Sequence, residues 1–202
     1  MVVVSTGQEG ARFLHNRIFL ETEPLARKYG TRDPFELLDL LHVVVEFSMA
    51  FPCEGLKGFC TIMNRTCYVV INAHLRSEEQ RIVAGHEAGH IVVHADDLKI
   101  GMFRDSDIYT ATGRMEREAN TFAADFLIPD DEVMEHLRSC DANFFNVART
   151  LCIPSSFFLA FKLYGMVERG YAMRVSVDLK RLSLKDDVSR VCSPKYIRIL
   201  LA

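Results

Sequence analysis

Along the 202-residue chain the spacing of apolar and polar positions changes several times, and each change marks an element. Phe13, Leu14, Ile18, Leu20 and Leu25 recur at loose helical intervals, so residues 8–29 are expected to be mainly helical, broken or kinked at Pro24 and closed by Gly30. Asp33 caps, and Pro34 opens, a second helix through Leu41. Residues 43–47 are β-branched and apolar and read as a strand. The runs 58–63 and 67–71 flank Asn64-Arg65-Thr66, a hairpin signal. Ser77-Glu78-Glu79-Gln80 has the form of a capping box opening a helix to about His94. Residues 95–113 hold Gly101, Gly113 and scattered charges and read as a loop. Helices are expected over 114–128 (stopped by Pro129), 131–138 (capped by Asp130), 142–152 and 154–168, and a candidate strand over 171–177. This order reads as an α+β fold, mostly helical, with a small antiparallel sheet and a C-terminal helical segment.

Composition narrows the class. The chain is 49% hydrophobic and 25% charged, which is a globular balance. A net charge of −3 provides no overall positive field for nucleic acid or an anionic membrane. The six cysteines (Cys53, Cys60, Cys67, Cys140, Cys152 and Cys192) form no C-x-x-C pair, and we read them as reduced thiols. The start of the chain lacks the pattern of a secretory signal, and no apolar run is long enough to span a bilayer. The expected location is the cytoplasm.

The chemistry concentrates in His86-Glu87-Ala88-Gly89-His90. Two histidines four apart share a helix face, so both imidazoles can point at one ion, and imidazole suits zinc. Glu87, one position on, lies beside such an ion, where it can accept a proton from activated water. Gly85 and Gly89 each weaken a helix by about 1 kcal/mol relative to alanine, which suggests that something approaches closely there. The alternative reading is two core histidines with a surface glutamate.

A catalytic zinc takes a third protein ligand and keeps one open position. Position 96, where one histidine-rich motif would place it, is Asp96, so the search moves to Glu116 and Glu118. Met115, Ala119, Phe122, Ala123, Phe126 and Leu127 form an apolar stripe. Glu116 lies at its edge, whereas Glu118 falls on the polar side with Thr121 and Asp125, as a solvated charge would. Glu116 is therefore favoured as the metal ligand, and Asn120, one turn on, is placed to orient a liganding group. His94 lies too far along the axis from His86 to share its ion and is expected to have a supporting or structural role.

These residues resemble the ImmA/IrrE-type metallopeptidases. The matching blocks are Arg81-Ile82-Val83-Ala84 running into the histidine motif, then Val93-His94, and Glu116 to Ala124 ending in Leu127-Ile128-Pro129. Arg32 to Leu37 and Ile71-Asn72 also look like the family, and the match covers roughly residues 10–140. The resemblance implies a zincin-like metallopeptidase core over residues 1–140, with residues 141–202 a helical extension packed on it. It implies Zn2+ held by His86, His90 and Glu116, with Glu87 as general base. It also implies site-specific cleavage of a helix-turn-helix repressor of a phage or mobile element. The chain is expected to lack an N-terminal DNA-binding domain of its own.

The stretch 146–156 looks like a helix-turn-helix turn. Its flanks are rich in phenylalanine (Phe144, Phe145, Phe157, Phe158 and Phe161), and only Arg149 and Lys162 are basic, which favours packing or partner docking over DNA contact. Tyr109 and His94 are candidates for stabilising an oxyanion, and the strand 67–71 is a candidate edge for an extended substrate. The competing function is a non-catalytic, repressor-binding regulator with a structural metal site.

Overall fold

The computed structural model describes residues 9–51, 55–96, 113–138, 144–151, 153, 156–177 and 197–201. Helix α1 (Glu9–Tyr29) is continuous through Pro24, so of the expected break or kink the break does not occur. Pro24 and Leu20 both lie on the exposed face, so water can serve the Leu20 carbonyl that proline leaves without an amide donor. Gly30 ends the helix at φ +67°, a conformation open to glycine. Helix α2 (Pro34–Leu40) is capped as expected, with the Asp33 carboxylate accepting from the amides of Phe35 and Glu36 at 2.8 and 3.2 Å.

Strands β1 (Val44–Ser48), β2 (Gly58–Met63) and β3 (Thr66–Asn72) form one sheet in the order β1-β3-β2. Asn64 and Arg65, at φ 50° and 68°, make the two-residue turn between β2 and β3, whose twist suits a hairpin. β2 is antiparallel to β3, but β1 pairs with β3 in parallel, from Val44↔Tyr68 to Ser48↔Asn72. The sheet is therefore mixed, not antiparallel, because the hairpin docks on β1 through its second strand. This also makes β3 the central strand. Residues 67–71 are paired on both sides and offer no edge to a substrate, so that expectation is corrected; β2 lies at the edge.

Helix α3 (Ser77–Val93) starts differently from the capping-box expectation. Arg76 occupies the cap position, and Ser77, already in the first turn, donates to Glu78 instead of an N-terminal amide. Gln80 does reach back, donating to the Leu75 carbonyl at 2.9 Å. Helices α4 (Arg114–Leu127), α5 (Asp130–Leu137), α6 (Phe144–Thr150) and α7 (Ser156–Glu168) follow, and β4 (Met173–Val177) pairs antiparallel with β5 (Ile197–Leu201). The fold is α+β. No described helix is long and apolar enough to cross a membrane.

Two apolar cores meet at α4. One joins α1, α2, the sheet and α3, and takes Phe122 and Phe126 from α4. The other joins α5, α6 and α7, and takes Ala123 and Ala124. Consequently every residue from Glu118 to Phe126 is buried. The polar side of α4 is covered too. Asp125 receives the Lys162 ammonium at 2.9 Å and Arg169 at 3.2 Å, and both cations also contact Asp130. Arg32 donates to the carbonyls of Asp125 and Phe126, both at 3.1 Å. Charge pairing thus buries a face that hydrophobic patterning alone assigns to solvent.

Candidate metal centre

The two glycines of α3 fix how closely α4 approaches. A Cβ on Gly89 would lie 3.0 Å from both Cα and the carbonyl oxygen of Ala119; one on Gly85 would meet Leu127 Cδ1 at 3.0 Å. The helices pack nearly backbone to backbone, which is the close approach implied by two glycines in one helix. This brings Glu116 under the two imidazoles. His86 Nε2 lies 3.3 Å from one Glu116 oxygen, His90 Nε2 lies 3.3 Å from the other, and the two Nε2 atoms are 3.1 Å apart.

Those three separations test whether an ion fits. Tetrahedral ligands at zinc distances, near 2.0–2.2 Å, stand about 3.3 Å from one another. Each imidazole nitrogen stands that far from one oxygen of the Glu116 carboxylate, one nitrogen to each oxygen. Single ligand atoms of the three buried residues all lie within 4.8 Å of one another, which is a spacing that one ion can draw together. Three such atoms crowd together without an ion only by sharing protons. Burial works against the His86 cation, yet hydrogen bonding to Glu116 and the charges of Glu87 and Glu116 raise its pKa above the ordinary value. Burial likewise works against the Glu116 carboxylate, but hydrogen bonds from His86 and His90 hold it down at about 2. A divalent cation can replace the shared protons between the same donors.

Glu87 is fully buried beside this triangle, on α3, and its Oε2 accepts no hydrogen bond from the described residues. The edge strand β2 passes directly over it. A Cβ on Gly58 would come within 3.7 Å of Glu87 Oε1 and would strike Val83 at 2.5 Å, so only glycine lets β2 lie this low. Cys60, also on β2, donates its thiol to Glu87; burial first, then that carboxylate, pushes the thiol pKa up, so it stays protonated. Cys60 was not read as part of the site. Its only sequence signal was a position two residues from Gly58 on an apolar strand.

Around the triangle, Asn120 Oδ1 lies 2.9 Å from His86 Nδ1, where the helical spacing on α4 puts it. His94 lies 3.2 Å from His90, Nδ1 to Nδ1, and 2.8 Å from Glu118 through Nε2. Glu118 is 2% exposed, which corrects its reading as a solvated charge. Arg114 and Arg17 reach its other oxygen at 2.8 and 3.2 Å, and these pairs make the burial tolerable. A run of three imidazoles on one buried face, at 86, 90 and 94, was the available signal that a nearby acid must serve the last of them.

His94 is turned toward His90 and Glu118, which removes it as an oxyanion donor in this arrangement. Tyr109 lies outside the described residues. On the extension, Phe158 is buried in the core with α4 and α5, and Phe161 is partly buried. Lys162, one of the two basic residues considered for DNA contact, is buried in its ion pairs.

Residues 44–140 match the Peptidase_M78 family, described as the IrrE N-terminal-like domain. The chain is also 30% identical over 113 residues to "Uncharacterized immunity region protein 2" of Bacillus phage phi105; the match spans 55% of this chain and 68% of that protein.

Proposed function

Because the chain belongs to the Peptidase_M78 family of IrrE N-terminal-like domains, we propose that it is a zinc endopeptidase that cuts a helix-turn-helix repressor of a phage or mobile element. The observation that carries the catalytic part is the triangle of His86, His90 and Glu116, sized for one small divalent cation, with Glu87 buried beside it. The immunity-region relative supports the choice of substrate. Residues 1–140 would form the peptidase domain and 141–202 an extension packed on it through α4 and α5.

His86 and His90 would hold the ion through Nε2, and Glu116 through its carboxylate. When bound, the ion supplies Lewis acidity toward a carbonyl and makes water a nucleophile at neutral pH. Glu87 takes the water proton onto its carboxylate and delivers it to the leaving amine. Burial keeps that carboxylate out of bulk solvent, so its proton passes to the substrate. An extended substrate segment would lie along β2, the strand over Glu87, and add to the sheet edge by main-chain hydrogen bonds.

The test compares three variants. His86→Ala and Glu116→Ala should lose zinc from the purified protein. Glu87→Gln should keep zinc and lose cleavage of a co-expressed repressor by about 100-fold or more. Wild-type cleavage by Glu87→Gln would remove Glu87 as the base, and absence of repressor cleavage by the zinc-loaded wild type would overturn the peptidase reading and favour a regulator with a structural metal.

A further inference from the structure

Beyond the triangle lies a buried chain of polar atoms that the peptidase mechanism does not use. It runs from His90 Nδ1 to His94 Nδ1 at 3.2 Å, and from His94 Nε2 to Glu118 Oε2 at 2.8 Å. From the other Glu118 oxygen it continues to Arg114 Nε at 2.8 Å on α4 and Arg17 Nη2 at 3.2 Å on α1. His90 is fully buried, His94 is 4% exposed and Glu118 2% exposed, so water has little access to complete these contacts.

Proton placement along the chain follows from donor counting. A carboxylate gripped by two arginines accepts hydrogen bonds and donates none, so the hydrogen between Glu118 and His94 sits on His94 Nε2. A neutral imidazole carries one ring hydrogen, so His94 Nδ1 is then an acceptor. The hydrogen between the two rings must come from His90 Nδ1. Once a cation replaces the proton shared between His90 Nε2 and Glu116, this leaves the lone pair of His90 on Nε2, the atom that faces His86 and Glu116. On His86 the same outcome is reached more simply, since the Asn120 amide oxygen accepts from Nδ1.

We infer that Glu118 and His94 are positioning residues that fix the tautomer and ring orientation of His90, so that its Nε2 lone pair is presented to the metal. An acid whose neighbours are arginines on two helices thereby acts on the ion through two imidazoles. Such outer partners typically set metal affinity within a factor of 10–100. The inference rests on the proposal that His90 holds a metal through Nε2.

Leucine and glutamine at position 94 separate this role from packing. Leucine fills the space but breaks the chain, whereas the glutamine amide can accept from His90 and donate to Glu118. Zinc affinity, measured by competition with a chromophoric chelator, should fall about 10- to 100-fold in His94→Leu and Glu118→Leu. In His94→Gln it should return to within a few-fold of wild type. Equal affinity in wild type and His94→Leu would overturn the inference, and so would equal losses in His94→Leu and His94→Gln.

A second measurement requires no variant to fold. Histidine nitrogen shifts of the zinc-loaded wild type should show His94 protonated at Nε2 and bare at Nδ1. A proton on His94 Nδ1 would overturn the inference. Absence of zinc binding by the wild type would instead defeat the metal site itself, so the two failures are distinguishable.

Discussion

Replacing Gly89 with alanine places a methyl group between α3 and α4, where the helices are closest. The new Cβ would stand 3.0 Å from Ala119 Cα and O and 3.2 Å from Phe122 Cβ, whereas ordinary contact begins at 3.4 Å. The Ala119 atoms are backbone within a fully buried helix, so relief requires moving α4 by about 0.4 Å, within the overpacking regime of about 1–3 kcal/mol. Alanine returns about 1 kcal/mol of helix propensity. The net expectation is a loss of 0 to about 2 kcal/mol, or up to about 8 °C in Tm for a chain of this size. The metal site should be hit harder. Widening the 3.3 Å contact between His90 Nε2 and Glu116 by a similar amount exceeds the roughly 0.2 Å tolerance of ligand distances. Zinc affinity should therefore fall at least tenfold. Gly85→Ala is the control, because its methyl meets the movable end of Leu127. Thermal unfolding without metal and chelator competition with zinc give the two readouts. Gly89→Ala with higher metal-free stability and unchanged zinc affinity would refute the reasoning that Gly89 sets the site geometry.

Three further outcomes follow from the same structure. Lys162→Met leaves the buried Asp125 carboxylate with Arg169 as its remaining cation and removes one of two cations from the partly buried Asp130; it should cost about 3 kcal/mol in urea unfolding, and a loss below 1 kcal/mol would mean the ammonium contributes little. The metal-free protein should lose stability on both sides of a mildly acidic window. The Glu116 contribution is complete above its ordinary pKa of 4.5 and disappears as pH falls through about 2. The His86 contribution, with a raised pKa, is complete below the ordinary 6.5 and disappears as pH rises through the folded value. A flat profile of urea midpoints from pH 2 to 8 would contradict that coupling. Finally, Ile62→Pro on the exposed end of β2 should preserve folding and zinc but cut repressor cleavage at least tenfold, whereas unimpaired cleavage would take β2 out of the substrate path.

The residues that were easiest to read obey short-range geometry. His86 and His90 are one helical turn apart, so their convergence needs no tertiary information, and Glu116 with Asn120 repeats that logic on α4. Asp33-Pro34 and the Asn64-Arg65 turn are likewise local. The misread features depend on what lies opposite. Glu118 and Asp125 look solvated until Arg17, Lys162 and Arg169 arrive from α1, α7 and the end of α7. The parallel pairing of β1 with β3 depends on how a hairpin docks, which strand sequence does not encode. Ser77 was displaced by one position because Arg76 already has the extended backbone of a cap without a capping side chain. Pro24 was tolerated because the carbonyl it orphans faces water.

The helix that carries Glu116 forms a wall common to both cores, and this bears on how the proposed site would meet an ion. A free-standing helix could recoil when a ligand is removed, and binding would then have to order it again. Here Phe122 and Phe126 lock one flank, Ala123 and Ala124 the other, and Arg32 grips the backbone near the end. The carboxylate is held in place without a cation, so little of the free energy of binding one there would go into reorganisation. By the same rigidity, damage to the distant α7 anchor would be felt at the centre of the molecule as a displaced Glu116 carboxylate.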